Sequence, residues 1–387
     1  MTRYENKIGN GERTLLFRMY CADGHLTMKD KSRYSLLSWA LACTASLAPA
    51  SLSLLSLSRS MALVMAGLAL ATQAFAAETP QQTIRLGASN PYSFVTFANA
   101  DLDTAVNAER AVVLVHGVKR NADEYFHSGL NLLKQAGLAK TDTLLLAPNF
   151  LTERDKHADA DIPLWPHDEW MQGTPSSGAR PGIHALGVLD DWLAYLGDRK
   201  RFPRMQEIIL IGHSAGGQLV QRYSLLGRAD QVLATRGIAV RYVVSSPSSY
   251  LYLDDNRWQA DAFQPPADRT CPDYNRYRYG LEGAPVYLTE QNLSPEQLLH
   301  RYAARDVTYM VGALDNNPDD RVMDRSCSAM LQGHTRVERQ LTYMRYEQFL
   351  ATKWGMDIHH RQFQVTGAGH NDAHLFNAKS VANELFP

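Results

Sequence analysis

Residues 207–217 read Glu207-Ile208-Ile209-Leu210-Ile211-Gly212-His213-Ser214-Ala215-Gly216-Gly217. A run of branched apolar residues ends abruptly in Gly212-His213-Ser214-Ala215-Gly216. Four consecutive apolar side chains without polar alternation fit a strand buried on both faces. The residues that follow, Gln218-Leu219-Val220-Gln221-Arg222-Tyr223, suit the start of a helix. Strand, Gly-x-Ser-x-Gly and helix together make a nucleophile elbow. The turn lifts the serine Oγ clear of the sheet and leaves the N–H of Ala215 free to donate. It also brings strand and helix so close that only glycine fits two positions either side of Ser214.

A serine hydroxyl is a weak nucleophile at neutral pH and needs a base beside it. The elbow predicts the partners downstream, in the order serine, acid, histidine. Of the 13 histidines, His370 follows a β-prone run, Phe363-Gln364-Val365-Thr366, and the small residues Gly367-Ala368-Gly369. Small residues let such a loop fold back over the sheet edge. His374 is the runner-up and falls in a helix starting near Ala373. His359 and His360 precede the strand and fall at its wrong end. The acid is expected after the preceding strand, Val307-Thr308-Tyr309-Met310-Val311-Gly312, and Asp315 lies just past it. Open α/β sheets build their sites at the carboxyl ends of strands. Asp319 and Asp320, in the same turn-rich loop, are rivals.

A tetrahedral oxyanion needs two aligned donors, each worth about 3 kcal/mol of barrier. Ala215 N–H is one. The other is expected after an early strand, and Ala111-Val112-Val113-Leu114-Val115-His116-Gly117-Val118 fits. The N–H of Val118 is the candidate, with Lys119 the alternative. His116 is read as structural, bonding loop backbone.

Taken together, His116-Gly117, the elbow at Ser214, Asp315 and His370 resemble the α/β-hydrolase superfamily over residues 82–387. Pro247-Ser248-Ser249-Tyr250 and Cys271-Pro272-Asp273-Tyr274-Asn275-Arg276-Tyr277-Arg278-Tyr279-Gly280-Leu281 are similar to a bacterial and fungal group within it. The resemblance implies an α/β-hydrolase fold and a Ser-His-Asp triad, and no particular substrate. The strand candidates, near 83–86, 92–96, 111–115, 143–147, 207–211, 240–245, 307–312 and 361–366, agree. Helical patterns fall at 122–137, 183–196 and 334–353. The alternation predicts a mostly parallel eight-stranded sheet with helices on both faces, with room for the first strands to run antiparallel. Lid-like insertions are expected at 150–182 and 248–305, leaving the carboxyl side of the sheet. Their aromatic residues, Trp165, Trp170 and Tyr250, are candidates for a pocket wall.

At 387 residues and 45% hydrophobic content the chain can bury a large core. Residues 1–77 read differently. Lys29, Lys31 and Arg33 lead into a Ser-, Ala- and Leu-rich stretch that closes on Ala74-Phe75-Ala76. This is the pattern of an export signal, cleaved near Ala77 or Glu78. Its unusual length points to a start codon called upstream of the true one, with Met28 or a later Met as the start. An N-terminal membrane anchor over 35–57 is the alternative, weakened by Pro49 and many serines. One catalytic domain is expected over 78–387, secreted or periplasmic, with no stable membrane span.

Removing residues 1–77 takes away 8 basic and 4 acidic side chains and leaves a net charge of −5. No basic patch points to nucleic acid. Cys271 and Cys327 then remain as an even pair, which in an exported chain predicts one disulfide. No Cys/His cluster has zinc spacing, and no phosphate loop or dinucleotide fingerprint is present, so neither metal nor cofactor is expected. The expected reaction is hydrolysis of a small-molecule or polymeric carboxylic ester through an acyl-enzyme. Amide, peptide or thioester cleavage and polyester depolymerisation are alternatives on the same triad, and a non-catalytic binding protein is the least favoured. Oligomeric state is not legible.

Overall fold

The computed structural model describes residues 81–139, 142–155, 159–267 and 271–387. The leader expected over 1–77 lies outside the described residues. The eight expected strands are present: β1 Gln81–Leu86, β2 Tyr92–Ala98, β3 Arg110–Val115, β4 Thr143–Pro148, β5 Glu207–His213, β6 Ala239–Ser245, β9 Asp306–Gly312 and β10 Arg361–Val365. A hairpin, β7 Arg257–Gln259 and β8 Ala262–Gln264, stands apart from them. The large sheet runs β1-β2-β4-β3-β5-β6-β9-β10. β1 and β2 pair antiparallel, as do β2 and β4, and every later pair is parallel.

The period-2 geometry of a strand sends alternate side chains to opposite faces. On β3, Ala111, Val113 and Val115 join one apolar cluster, while Val112 and Leu114 join the other. On β5, Ile208 and Leu210 face one way and Ile209 and Ile211 the other. Each such side chain, fully buried, stabilises the fold by about 1.5–3 kcal/mol. This explains why the central strands read as unbroken apolar runs. The longer helices are α1 Ala122–Gln135, α2 Ala185–Leu196, α3 Ala215–Leu226, α4 Pro295–Ala303 and α5 Arg336–Trp354. α1 and the C-terminal pieces Asp372–Phe376 and Lys379–Leu385 cover one face, and α2, α3 and α5 bury residues against the other.

The two cysteines expected to pair are adjacent, with Cα atoms 5.8 Å apart, as a disulfide requires. Cys271 and Cys327 are bonded, which ties the 248–305 insertion to the segment beyond Asp315. Closing a loop of 56 residues is worth about 4 kcal/mol in the chain-entropy account. Among the described residues no helix is long and apolar enough to cross a membrane, and no cluster of three or more His, Cys, Asp or Glu could hold a metal ion.

Candidate active site

The elbow sits between β5 and α3. Ser214 has φ 58° and ψ −115°, a region that non-glycine residues rarely enter. Holding it there costs on the order of 1–3 kcal/mol, offset by the surrounding structure. The two glycines show the crowding. A Cβ on Gly212 would lie 2.1 Å from Gly216 O, and one on Gly216 would lie 2.4 Å from Val115 O. Ala215 opens α3, and the first bond recorded for the helix runs from Gln218 N–H to Ser214 O. The Ala215 N–H therefore precedes the ladder, with no helical partner of its own.

Three side chains from distant parts of the chain meet here. Ser214 Oγ is 2.9 Å from His370 Nε2, and His370 Nδ1 is 2.7 Å from Asp315 Oδ2. His370 follows β10 and Asp315 follows β9, so adjacent parallel strands deliver both to one sheet edge. Gly312 permits this. A Cβ there would lie 2.4 Å from Gly369 O, in the loop that returns His370. Asp315 is buried, and behind it the Arg336 Nη1 donates to Oδ1 at 2.9 Å. Burial alone would raise the Asp315 pKa. The hydrogen bond from His370, with the guanidinium of Arg336, outweighs it and holds the carboxyl below its ordinary value.

Two buried histidines brace this chain. His213, the variable residue of the elbow, has Nε2 at 3.0 Å from His370 O and Nδ1 at 2.9 Å from Ser245 Oγ. Burial drives its pKa well down, so the ring is neutral. A carbonyl only accepts, so Nε2 carries the proton and Nδ1 accepts from Ser245. His116 has the opposite tautomer. Its Nε2 accepts from Phe150 N–H at 2.9 Å, so Nδ1–H donates to Gly117 O at 2.8 Å. Burial pushes its pKa down to about 4.

The His116 bond has a geometric consequence. In a trans peptide the carbonyl and the next N–H point opposite ways, and the Gly117–Val118 bond is trans. Drawing Gly117 O toward His116 therefore directs Val118 N–H away from the buried ring. The Tyr125 hydroxyl lies against Gly117. A Cβ on Gly117 would sit 3.5 Å from Ser214 Cβ and 2.8 Å from Tyr125 Oη, so this loop lies directly against Ser214.

Comparison with known proteins agrees with the architecture. The model of the alpha/beta hydrolase family matches residues 112–384. The chain belongs to the alpha/beta hydrolase family. Among solved structures it resembles LpqC, a poly(3-hydroxybutyrate) depolymerase from Bordetella parapertussis, at 20% identity and TM-score 0.55. That match covers 79% of this chain and 90% of the other. It also resembles poly(aspartic acid) hydrolase-1 from Sphingomonas sp. KT-1, at 17% identity and TM-score 0.52, over 79% of this chain and 98% of that one. Both likenesses concern the fold. No curated protein matches the chain.

Within this alpha/beta hydrolase the remaining expected residues fall as follows. The pocket-wall role expected for Trp165, Trp170 and Tyr250 needs correction. Each is 0% exposed. Trp170 stacks on Phe150 at 5.2 Å and packs edge-on against His116. Trp165 Nε1 donates to Thr174 O, and Tyr250 stacks on Tyr343 at 4.6 Å. These rings fill the space beneath the insertions. Asp320 meets Arg336 at 3.4 Å, and Asp319 faces solvent beside Arg325. His360 lies behind the sheet edge against Glu347 and Tyr302 O. Lys119 is exposed, and His374 lies in the helix Asp372–Phe376.

Sequence reading missed His213, Arg336 and Tyr125. His213 stood inside the quoted motif, and strand alternation alone could have assigned its face. Arg336 carries no local signal, because its partners lie 16 and 21 residues away across a loop.

Proposed function

We propose that this protein is an exported serine hydrolase that cleaves carboxylic esters through an acyl-enzyme. Ser214 attacks the acyl carbon while His370 takes the hydroxyl proton and later gives it to the leaving alcohol. Asp315 fixes the His370 tautomer and stabilises the imidazolium. The N–H groups of Val118 and Ala215 hold the oxyanion. Water then attacks the acyl-enzyme, with His370 again the base. The observation that carries this reading is the unbroken chain Ser214 Oγ, His370 Nε2, His370 Nδ1, Asp315 Oδ2, at 2.9 and 2.7 Å. Export is supported by the bonded Cys271–Cys327 pair, which suits an oxidising compartment.

Two measurements test the proposal. A fluorophosphonate should label the wild type and leave Ser214→Ala untouched. An intact wild type that never labels would favour a non-catalytic binding role. Rates on p-nitrophenyl esters of short and long acyl chain, set against an anilide, should favour the esters. Faster anilide cleavage would move the assignment to an amidase or peptidase, and a faster thioester to a thioesterase.

A second reading, depolymerisation of a polyester, has one observation in its favour. Leu314, next to Asp315, is 61% exposed. An apolar side chain held in solvent beside the acid offers contact to an extended apolar chain. The likeness to a poly(3-hydroxybutyrate) depolymerase extends to the fold, and release of soluble product from a polyester film is the measurement that separates the two.

A further inference from the structure

Arg336 is the first residue of α5, and its side chain is 0% exposed. Nη1 reaches Asp315 Oδ1 at 2.9 Å and Asp320 Oδ2 at 3.4 Å, and Nη2 donates to Val322 O at 3.2 Å. The two oxygens of Asp315 are thereby divided. Oδ1 takes the guanidinium, and Oδ2 is left for His370. A carboxylate free to rotate would offer either oxygen to either partner. One held by a guanidinium that is itself anchored to Asp320 and to Val322 O presents a fixed edge.

We propose that Arg336 is a positioning residue for the hydrolytic reaction, a fourth member behind Asp315 that sets both the orientation of the acid and the proton affinity of the Ser214–His370–Asp315 chain. This rests on the serine-hydrolase reading above and deepens it. A guanidinium is a permanent cation in proteins. It therefore opposes a second positive charge on His370, two bonds further along the chain. Asp320 moderates that effect from the loop side. Other titratable or charged groups packed around the chain are His213 on β5, buried and neutral, Tyr250, buried beside Asp315, and Arg339 on α5, which faces Arg336 and is itself paired against Asp324.

The sign follows. Removing the cation favours the imidazolium, so more alkaline pH is needed to free the base. Removing Asp320 leaves the cation less compensated and does the reverse. A merely structural clamp on the 315–325 loop would lower reactivity at every pH and leave the limb in place.

The experiment follows the rate at which a fluorophosphonate labels Ser214, from about pH 5 to about pH 9, in the full chain. It needs no knowledge of the natural ester. Arg336→Met should lower the plateau rate about ten-fold or more and move the acidic limb up by about one pH unit, the scale of one charge acting across a partly buried site. Arg336→Lys should keep the limb near its wild-type position while the plateau falls, because charge is retained and the anchoring bond from Nη2 to Val322 O is lost. Asp320→Asn should move the limb down by a few tenths of a unit.

Limbs that coincide in wild type, Arg336→Met and Asp320→Asn overturn the inference, whatever happens to the plateau. Should Arg336→Met fail to fold, the Asp320→Asn limb decides alone. A wild type that does not label at all overturns the hydrolase reading and takes this inference with it. A wild type that labels only through Ser214, with unmoved limbs in the variants, overturns this inference and leaves that reading intact.

Discussion

Two imidazoles are buried neutral within the fold, and this makes stability fall in mild acid. His116 is 0% exposed and has its pKa pushed down to about 4 by burial. In the unfolded chain the same ring titrates near 6.5. Below that value the unfolded state binds a proton that the folded state refuses, so stability drops with falling pH until the folded pKa is reached. From about pH 7 to about pH 5 this costs about 2 kcal/mol for His116. His213 is shifted the same way and adds to the loss. The carboxylates held low by partners, Asp155, Glu207, Asp315 and Asp324, contribute at neutral pH and lose that contribution only below the ordinary carboxylate range. Asp191, raised by burial, works in the opposite direction. Urea unfolding followed by tryptophan fluorescence at the two pH values measures the sum. His116→Gln removes one titration and should flatten the slope by up to about 1.4 kcal/mol per pH unit. An unfolding free energy that stays level between the two pH values would refute neutral burial of these rings. So would a His116→Gln slope identical to that of the wild type.

Gly216→Ala sets a methyl 2.4 Å from Val115 O and 2.6 Å from His116 O, both backbone atoms with no freedom to yield. It should cost about 3 kcal/mol or more, and a thermal melt within a degree or two of wild type would show a looser elbow. Replacing Cys271 and Cys327 together by serine should lower stability by about 4 kcal/mol and the melting temperature by several degrees. Added reductant should reproduce that loss in the wild type, and a wild type indifferent to reductant would contradict a stabilising role for the bond.

The sheet was legible because its central strands are buried on both faces, so β3, β4 and β5 read as apolar runs with no solvent face to confuse them. The elbow was legible because its glycines answer a steric demand that appears in the sequence itself. That Asp315 and His370 lie beside Ser214 was legible from chain order and from nearness to strand ends. The insertions were opaque for a physical reason. An aromatic residue in an irregular segment looks the same whether it faces a ligand or the core, and Trp165, Trp170 and Tyr250 proved to be core. The hairpin Arg257–Gln264 was missed because each strand spans three residues, too few to show a period. His213 and Arg336 act through contacts between elements far apart in sequence, and no window along the chain contains both partners.

The same opacity explains how the insertions hold their shape. Irregular backbone leaves carbonyls without ladder partners, and buried carbonyls need donors. Here arginines supply them. Arg257 donates to Asp254 O, Asn256 O, Tyr274 O and Tyr279 O while lying over the Tyr252 ring. Arg339 serves Gly333 O, Ser248 O and Asp324 O, and Arg222, from the helix behind Ser214, serves Gln218 O, Met171 O and Arg278 O. Swinging such a segment away as a lid would strip several charge-assisted bonds from one buried cation at once, each worth more than a neutral bond. Arg336 and Arg339 leave α5 one turn apart and hold Asp315, Val322 O and Asp324 O. Asp315 is thus held as much by that helix as by the strand that precedes it, and a change at the first turn of α5 should reach Ser214 without touching it.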